Sequence, residues 1–239
     1  MGSESKSFPL LSGSDVHRVP ISRKDADRAE GNRRLWLEIL VGYGFILMAI
    51  WTPDGPLKFA WMMLAVISIA SFAFVDSYSS AEMGLGVPPG RGSATILLFG
   101  LLMAAMLPVA ALLSGQNLAP APVRWHTAWQ YVIWAVMQQF ILQSFMYVRL
   151  EWLVGSRKAV IAAASLFALA HIPSPVLTVC TFVGGLFFCE MFRRYRNIFA
   201  LGIAHAVLGL TVAASFSDHL LHHMRVGIGY LMFHPHHLP

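Results

Sequence analysis

Hydrophobic residues gather into seven long runs along the chain: 35–51, 57–75, 94–113, 128–150, 159–172, 176–192 and 198–216. Turn-forming residues separate them. Thr52-Pro53-Asp54-Gly55-Pro56 ends the first run, and 76–93 holds Gly84, Gly86, Pro88, Pro89 and Gly90. A helix needs about 20 apolar residues to cross a bilayer. The pattern therefore predicts an all-α, polytopic transmembrane helix bundle of about seven spans. The fifth and sixth runs are short or tilted. The fifth, stopped by Pro173 and Pro175, is expected to end inside the membrane.

Three parts follow from this pattern. Residues 1–34 form a polar, basic arm, 35–216 the transmembrane domain, and 217–239 a His-rich tail. The arm holds seven Lys or Arg and no early apolar core, so it reads as a mobile cytosolic segment and not as a cleaved signal peptide. Seven passes with the N-terminus inside put 14 of the 17 Lys and Arg on the cytosolic side, leaving Lys58, Arg124 and Arg225 outside. That asymmetry predicts N-in and C-out.

Composition agrees. Of 239 residues, 56% are hydrophobic and 12% charged, against about 25% charged in soluble domains. A soluble enzyme, a disordered chain and a nucleic-acid-binding tail are all excluded, and the first partner is the lipid bilayer. The net charge of +5 sits in loops. The two cysteines, Cys180 and Cys189, lie nine residues apart in one apolar run. At a rise of about 1.5 Å per residue they are too distant to bridge within a helix.

Polar side chains in hydrocarbon are costly and mark interiors or cavities. The first three runs hold few. The last four hold Gln138, Gln139, Gln143, Ser144, His171, Glu190 and His205. Gln139 and Gln143 share a helix face and suit interhelical hydrogen bonds. His171 stands where Pro173 stops a helix, and His205 lies inside the last run. Imidazole serves as base, acid or metal ligand, or simply as a buried hydrogen-bonding group. Glu190 stands three and four residues before Arg193 and Arg194, a spacing for interfacial ion pairs.

The order of these features resembles the CPBP family, the CAAX-protease and bacteriocin-processing intramembrane proteins. Its EExxxR motif aligns with Gln138-Gln139-Phe140-Ile141-Leu142-Gln143. FxxxH aligns with Phe167-Ala168-Leu169-Ala170-His171, a Gly-containing helix with Val183-Gly184-Gly185-Leu186, and HxxxN with His205-Ala206-Val207-Leu208-Gly209. The resemblance covers 128–212. It implies that a Glu and two His activate a water that attacks a peptide carbonyl, with the Asn helping to hold the oxyanion.

Here His171 and His205 match, but Gln138 and Gln139 replace the glutamates, Gln143 the arginine and Gly209 the asparagine. An amide cannot take a proton from water near neutral pH, and general-base help is worth about 10²–10⁴ in rate. The three changes are mutually consistent, because an Arg without its carboxylate would be an unpaired buried charge.

The resemblance implies a peptidase acting through His171 and His205 on a membrane-embedded or lipidated peptide. Gln138 or Gln139 would position water, and Phe167, Gln143 and Gly209 would line the cavity. A divalent metal such as zinc on His171 and His205 is a further expectation. Two alternatives stay open: a pseudoprotease that binds a hydrophobic peptide, lipid or isoprenoid, and a non-peptidase enzyme acting on such a lipid. His219, His222 and His223 form an HxxHH pattern that resembles one box of the membrane desaturases. With His126, His234, His236 and His237 it reads mainly as a surface tract with adventitious metal affinity. A bacterial inner membrane is the expected home.

Overall fold

The computed structural model describes residues 23–76, 78–86, 90–116 and 125–233, the side chains of 23–28 and 125–127 excepted. Its helices are α1 (Arg23–Trp51), α2 (Pro56–Val75), α3 (Gly90–Leu113), α4 (Trp125–Gln139), α5 (Val148–Val154), α6 (Ser156–Leu169), α7 (Pro175–Tyr195), α8 (Ile198–Ser215), α9 (Asp218–Leu221) and α10 (Ile228–Leu231). A π-helical stretch, Phe140–Tyr147, joins α4 to α5 into one continuous rod. Among the described residues no strand occurs. The expected all-α bundle is present.

Among the described residues six helices are long and apolar enough to cross a membrane: Ala29–Trp51 within α1, α2, α3, Ala128–Val154, α7 and α8. The fifth apolar run forms α6, whose 14 residues reach about 21 Å at 1.5 Å each, against a hydrocarbon core of about 30 Å. The described residues thus hold six spans where about seven were expected, because α6 is too short to cross the hydrocarbon core. Pro56 and Pro175 open α2 and α7 in the first turn, where a missing N–H costs nothing. Gly155, at φ +85°, turns the chain between α5 and α6. Asn197 caps α8 by accepting from the Phe199 and Ala200 N–H groups at 3.1 Å.

Two boundaries differ from the sequence expectation. The basic arm is helical from Arg23 onward, because its final residues are good helix formers and Arg34 pairs with Glu38 one turn on at 2.8 Å. Residues 1–22 lie outside the described residues. The fourth span also runs past 150 to Val154.

The helices approach closely where side chains are small, which is how helices associate in lipid. A Cβ on Gly100 would stand 2.9 Å from the Ala204 Cβ, one on Gly202 3.0 Å from the Val136 Cα, and one on Gly185 3.1 Å from the Ala164 Cα. These contacts seat α8 between α3 and α4, and α7 on α6.

A buried ionic cluster locks one end of the bundle, and the sequence reading missed it. Arg149, counted there as a cytosolic loop charge, is fully buried. Its guanidinium bonds Glu38 of α1 at 2.9 Å, Asp76 after α2, and the Phe145 and Phe72 carbonyls at 3.1 and 2.9 Å. Arg34 joins both carboxylates, at 2.8 and 2.6 Å, so two cations meet two anions. Arg196 at the end of α7 reaches Glu151 and the Glu82 carbonyl at this same end. Ser79 donates to Glu82, which holds that carboxyl below its ordinary range. The Glu190 pairs with Arg193 and Arg194 form as expected, at 2.8 and 2.6 Å. Asp54, Lys58 and Arg225 gather at the opposite end.

Removing one partner of a buried pair strands the others and costs about 3–5 kcal/mol, whereas an exposed pair contributes about 0–1 kcal/mol. Arg149→Met is expected to lower the unfolding midpoint of the purified protein markedly. Glu190→Gln should leave it nearly unchanged in the same thermal scan.

Candidate functional site

The polar residues of the second half converge on a cavity of about 370 Å³ between α3, α4, α6, α7 and α8. His171 lies in the turn after α6, and His205 is the eighth residue of α8. Phe167 separates and orients them, with ring centroids 4.8 Å from His171 and 5.8 Å from His205. Phe188 packs on His205 at 5.1 Å. Tyr131, Gln138, Cys180, Thr181 and Gly209 complete the polar part of the wall.

The hydrogen bonds give the two imidazoles opposite polarity. His171 Nδ1 lies 2.7 Å from the Phe167 carbonyl. A carbonyl only accepts, so in the neutral ring the proton is on Nδ1 and Nε2 carries a lone pair. At His205 a relay sets the reverse. Gln143 Nε2 donates to Gln139 Oε1 at 3.1 Å. Gln139 therefore turns its Nε2 to His205 Nδ1, at 3.2 Å. An amide nitrogen only donates, so Nδ1 accepts and the proton is on Nε2. One ring offers an acceptor and the other a donor.

The glutamine pair predicted from sequence is thus split. Gln138 lines the cavity, while Gln139 is wholly buried between helices and acts through His205. Gln143 was expected in the cavity wall. The structure places it behind Gln139, fully buried, with its Oε1 free of hydrogen bonds. The π-helical stretch starts one residue after Gln139. Such stretches are frequent at functional sites. Phe167 and Gly209 do line the cavity. Glu151 and Glu190 do not line the cavity and are held by arginines at the end of α7.

The sequence reading overlooked Tyr131. It lies seven residues before Gln138, two helical turns along the same face, and that spacing could have pointed to it. A Cβ on Gly209 would fall on the Tyr131 hydroxyl and 2.7 Å from two ring carbons. The phenol fills the space beside the residue where the third motif has its asparagine.

The remaining lining is apolar, including Met103, Leu107, Leu177, Leu208 and Val212. Trp134, Val179 and Val183 also line it, and they are 48%, 64% and 51% exposed. The mouth between α4 and α7 therefore faces the bilayer. The tail folds back over the other end. Met224 and Val226 enter the wall, and Gly227 N–H donates to the Ile172 carbonyl at 2.9 Å.

The HxxHH pattern does not assemble. His222 stacks on Tyr230 at 4.0 Å, His223 pairs with Asp218 at 2.9 Å, and His219 is exposed. His234, His236, His237 and the His126 side chain lie outside the described residues. Among the described residues no group of three or more His, Cys, Asp or Glu is placed to hold a metal ion. A catalytic zinc takes three protein ligands. The pair His171 and His205, with Nδ1 of each already engaged, does not fit one.

The two histidines thus share one cavity within a bundle of apolar helices. Residues 120–211 match the family model described as Rce1-like, type II CAAX prenyl endopeptidase. The match falls on the stretch that carries the motif order and supports the resemblance stated from it. No curated protein and no solved structure matches the chain.

Two expectations follow. Nitrogen NMR of ring-labelled histidine should find His171 protonated on Nδ1 and His205 on Nε2, and Gln139→Glu should move the His205 proton to Nδ1. Zinc chelation should leave the unfolding midpoint in place; a clear fall would reveal a bound metal.

Proposed function

We propose that the protein is a divergent CPBP-type intramembrane hydrolase that cleaves an amide in a membrane-embedded or lipidated peptide without a carboxylate base. The opposite polarity of the two imidazoles supports this reading most. His171 Nε2 takes a proton from water as the water oxygen bonds to the carbonyl carbon. His205 Nε2–H donates to the oxygen that gains charge. The tetrahedral intermediate then expels the amine, which takes the proton from His171, and leaves a carboxylic acid. Gln143 holds the His205 tautomer through Gln139, and Gln138 lines the water's place.

The apolar wall and lipid-facing mouth suit a substrate that enters sideways with a hydrocarbon anchor. A prenyl group is one such anchor, in keeping with the family's description. The end carrying Arg34 and Arg149 would face the cytosol of a bacterial inner membrane, since most basic residues gather there. A second reading, binding an isoprenoid or lipid without cleavage, draws on the lack of any carboxylate in the cavity wall.

Labelling of new protein N-termini in membranes tests the choice. Cells making the wild type should yield termini that vanish with His171→Ala and with His205→Ala, at equal protein levels. Unchanged termini with altered lipid extracts would move the protein to lipid chemistry. No change in either would leave the binding reading.

A further inference from the structure

We propose that the Tyr131 hydroxyl is a second hydrogen-bond donor to the substrate carbonyl, beside His205 Nε2–H in the same cavity. This rests on the hydrolase reading for its role in catalysis, and on geometry for its role in binding. Tyr131 lines the same cavity as Gln138, His171, His205 and Gly209. Its hydroxyl forms no hydrogen bond among the described residues. A phenol in an apolar wall normally finds a partner, so an unused donor there is free for a ligand.

Its position depends on Gly209. Any side chain at 209 would displace the phenol, since a Cβ would lie 2.7 Å from two of its ring carbons. The glycine and the tyrosine therefore form one unit: the residue without a side chain on α8 admits a donor from α4. His205 lies one turn before Gly209 on α8, about 6 Å along the axis, so both donors line the same face of that helix. His171 supplies the opposing acceptor. Two donors and one acceptor, with no charge, select a neutral carbonyl such as an amide or ester on an apolar chain. A carboxylate or phosphate ligand would lie here without a cation.

The test uses full-length protein in nanodiscs and a long-chain alkyl trifluoromethyl ketone, read by fluorine NMR. The wild type should show a bound resonance. Tyr131→Phe should weaken binding by about tenfold, the upper range for one neutral hydrogen bond, with the unfolding midpoint unchanged because the hydroxyl has no internal partner. Gly209→Asn alone should also weaken binding. Tyr131→Ala combined with Gly209→Asn should recover much of it, because the amide then occupies the vacated space. Equal binding by wild type and Tyr131→Phe, or no bound resonance in the wild type, would overturn the proposal. In cells, Tyr131→Phe should cut the histidine-dependent termini by about 10²-fold, the scale for one oxyanion donor. If the ketone binding falls but no such termini exist in the wild type, hydrolysis fails while the carbonyl-binding role of Tyr131 stands. If termini form at the wild-type rate in Tyr131→Phe, the catalytic role falls.

Discussion

The relay from Gln143 through Gln139 to His205 governs the rest of the site. Inside a bilayer a polar group must be met by a partner or stay uncharged. An amide at 139 meets the imidazole as a donor, where a carboxylate would meet it as an acceptor. That one exchange inverts the tautomer of His205 and so the kind of group it presents. It also removes the need for an arginine at 143, since no charge remains to balance. No charged side chain lines the cavity among the described residues, and in the proposed reaction the chemistry comes from the difference between two histidines.

The charges that the membrane interior avoids are concentrated elsewhere. Arg149, Arg34, Glu38 and Asp76 tie α1 and α2 to the end of the long fourth span. This cluster anchors the rod that carries Gln138, Gln139 and Tyr131. At the other side of the cavity, close glycine contacts seat α8 against α3 and α4, which fixes His205. The short α6 ends beside the cavity and delivers His171 to its wall. Fold and site are therefore coupled through helix length and small-residue packing.

Much of this was legible in the sequence. Seven apolar runs, the short fifth one and the motif order gave the architecture and both histidines. The i,i+4 spacing of Gln139 and Gln143 anticipated their hydrogen bond, and the Glu190 spacing its ion pairs. What stayed hidden depends on contacts between distant segments. Glu38, Asp76 and Arg149 are unremarkable singly, and only the packing of three helices makes them a cluster. Gly209 read as a lost asparagine, because sequence shows the missing side chain and not the phenol that fills its place. The HxxHH spacing suggested a ligand set, yet the tail turns those rings toward Tyr230, Phe233 and Asp218.

The most direct measurement is the effect of Gln139→Glu on the rate at which histidine-dependent termini form. A neutral site that relies on the His205 Nε2–H predicts a loss, because a carboxylate would draw that proton to Nδ1 and leave an acceptor facing the carbonyl. The loss should be of the order of 10²-fold, the scale for one donor. A gain in rate would contradict the account, and would mean that the amide occupies a position where a carboxylate base works better.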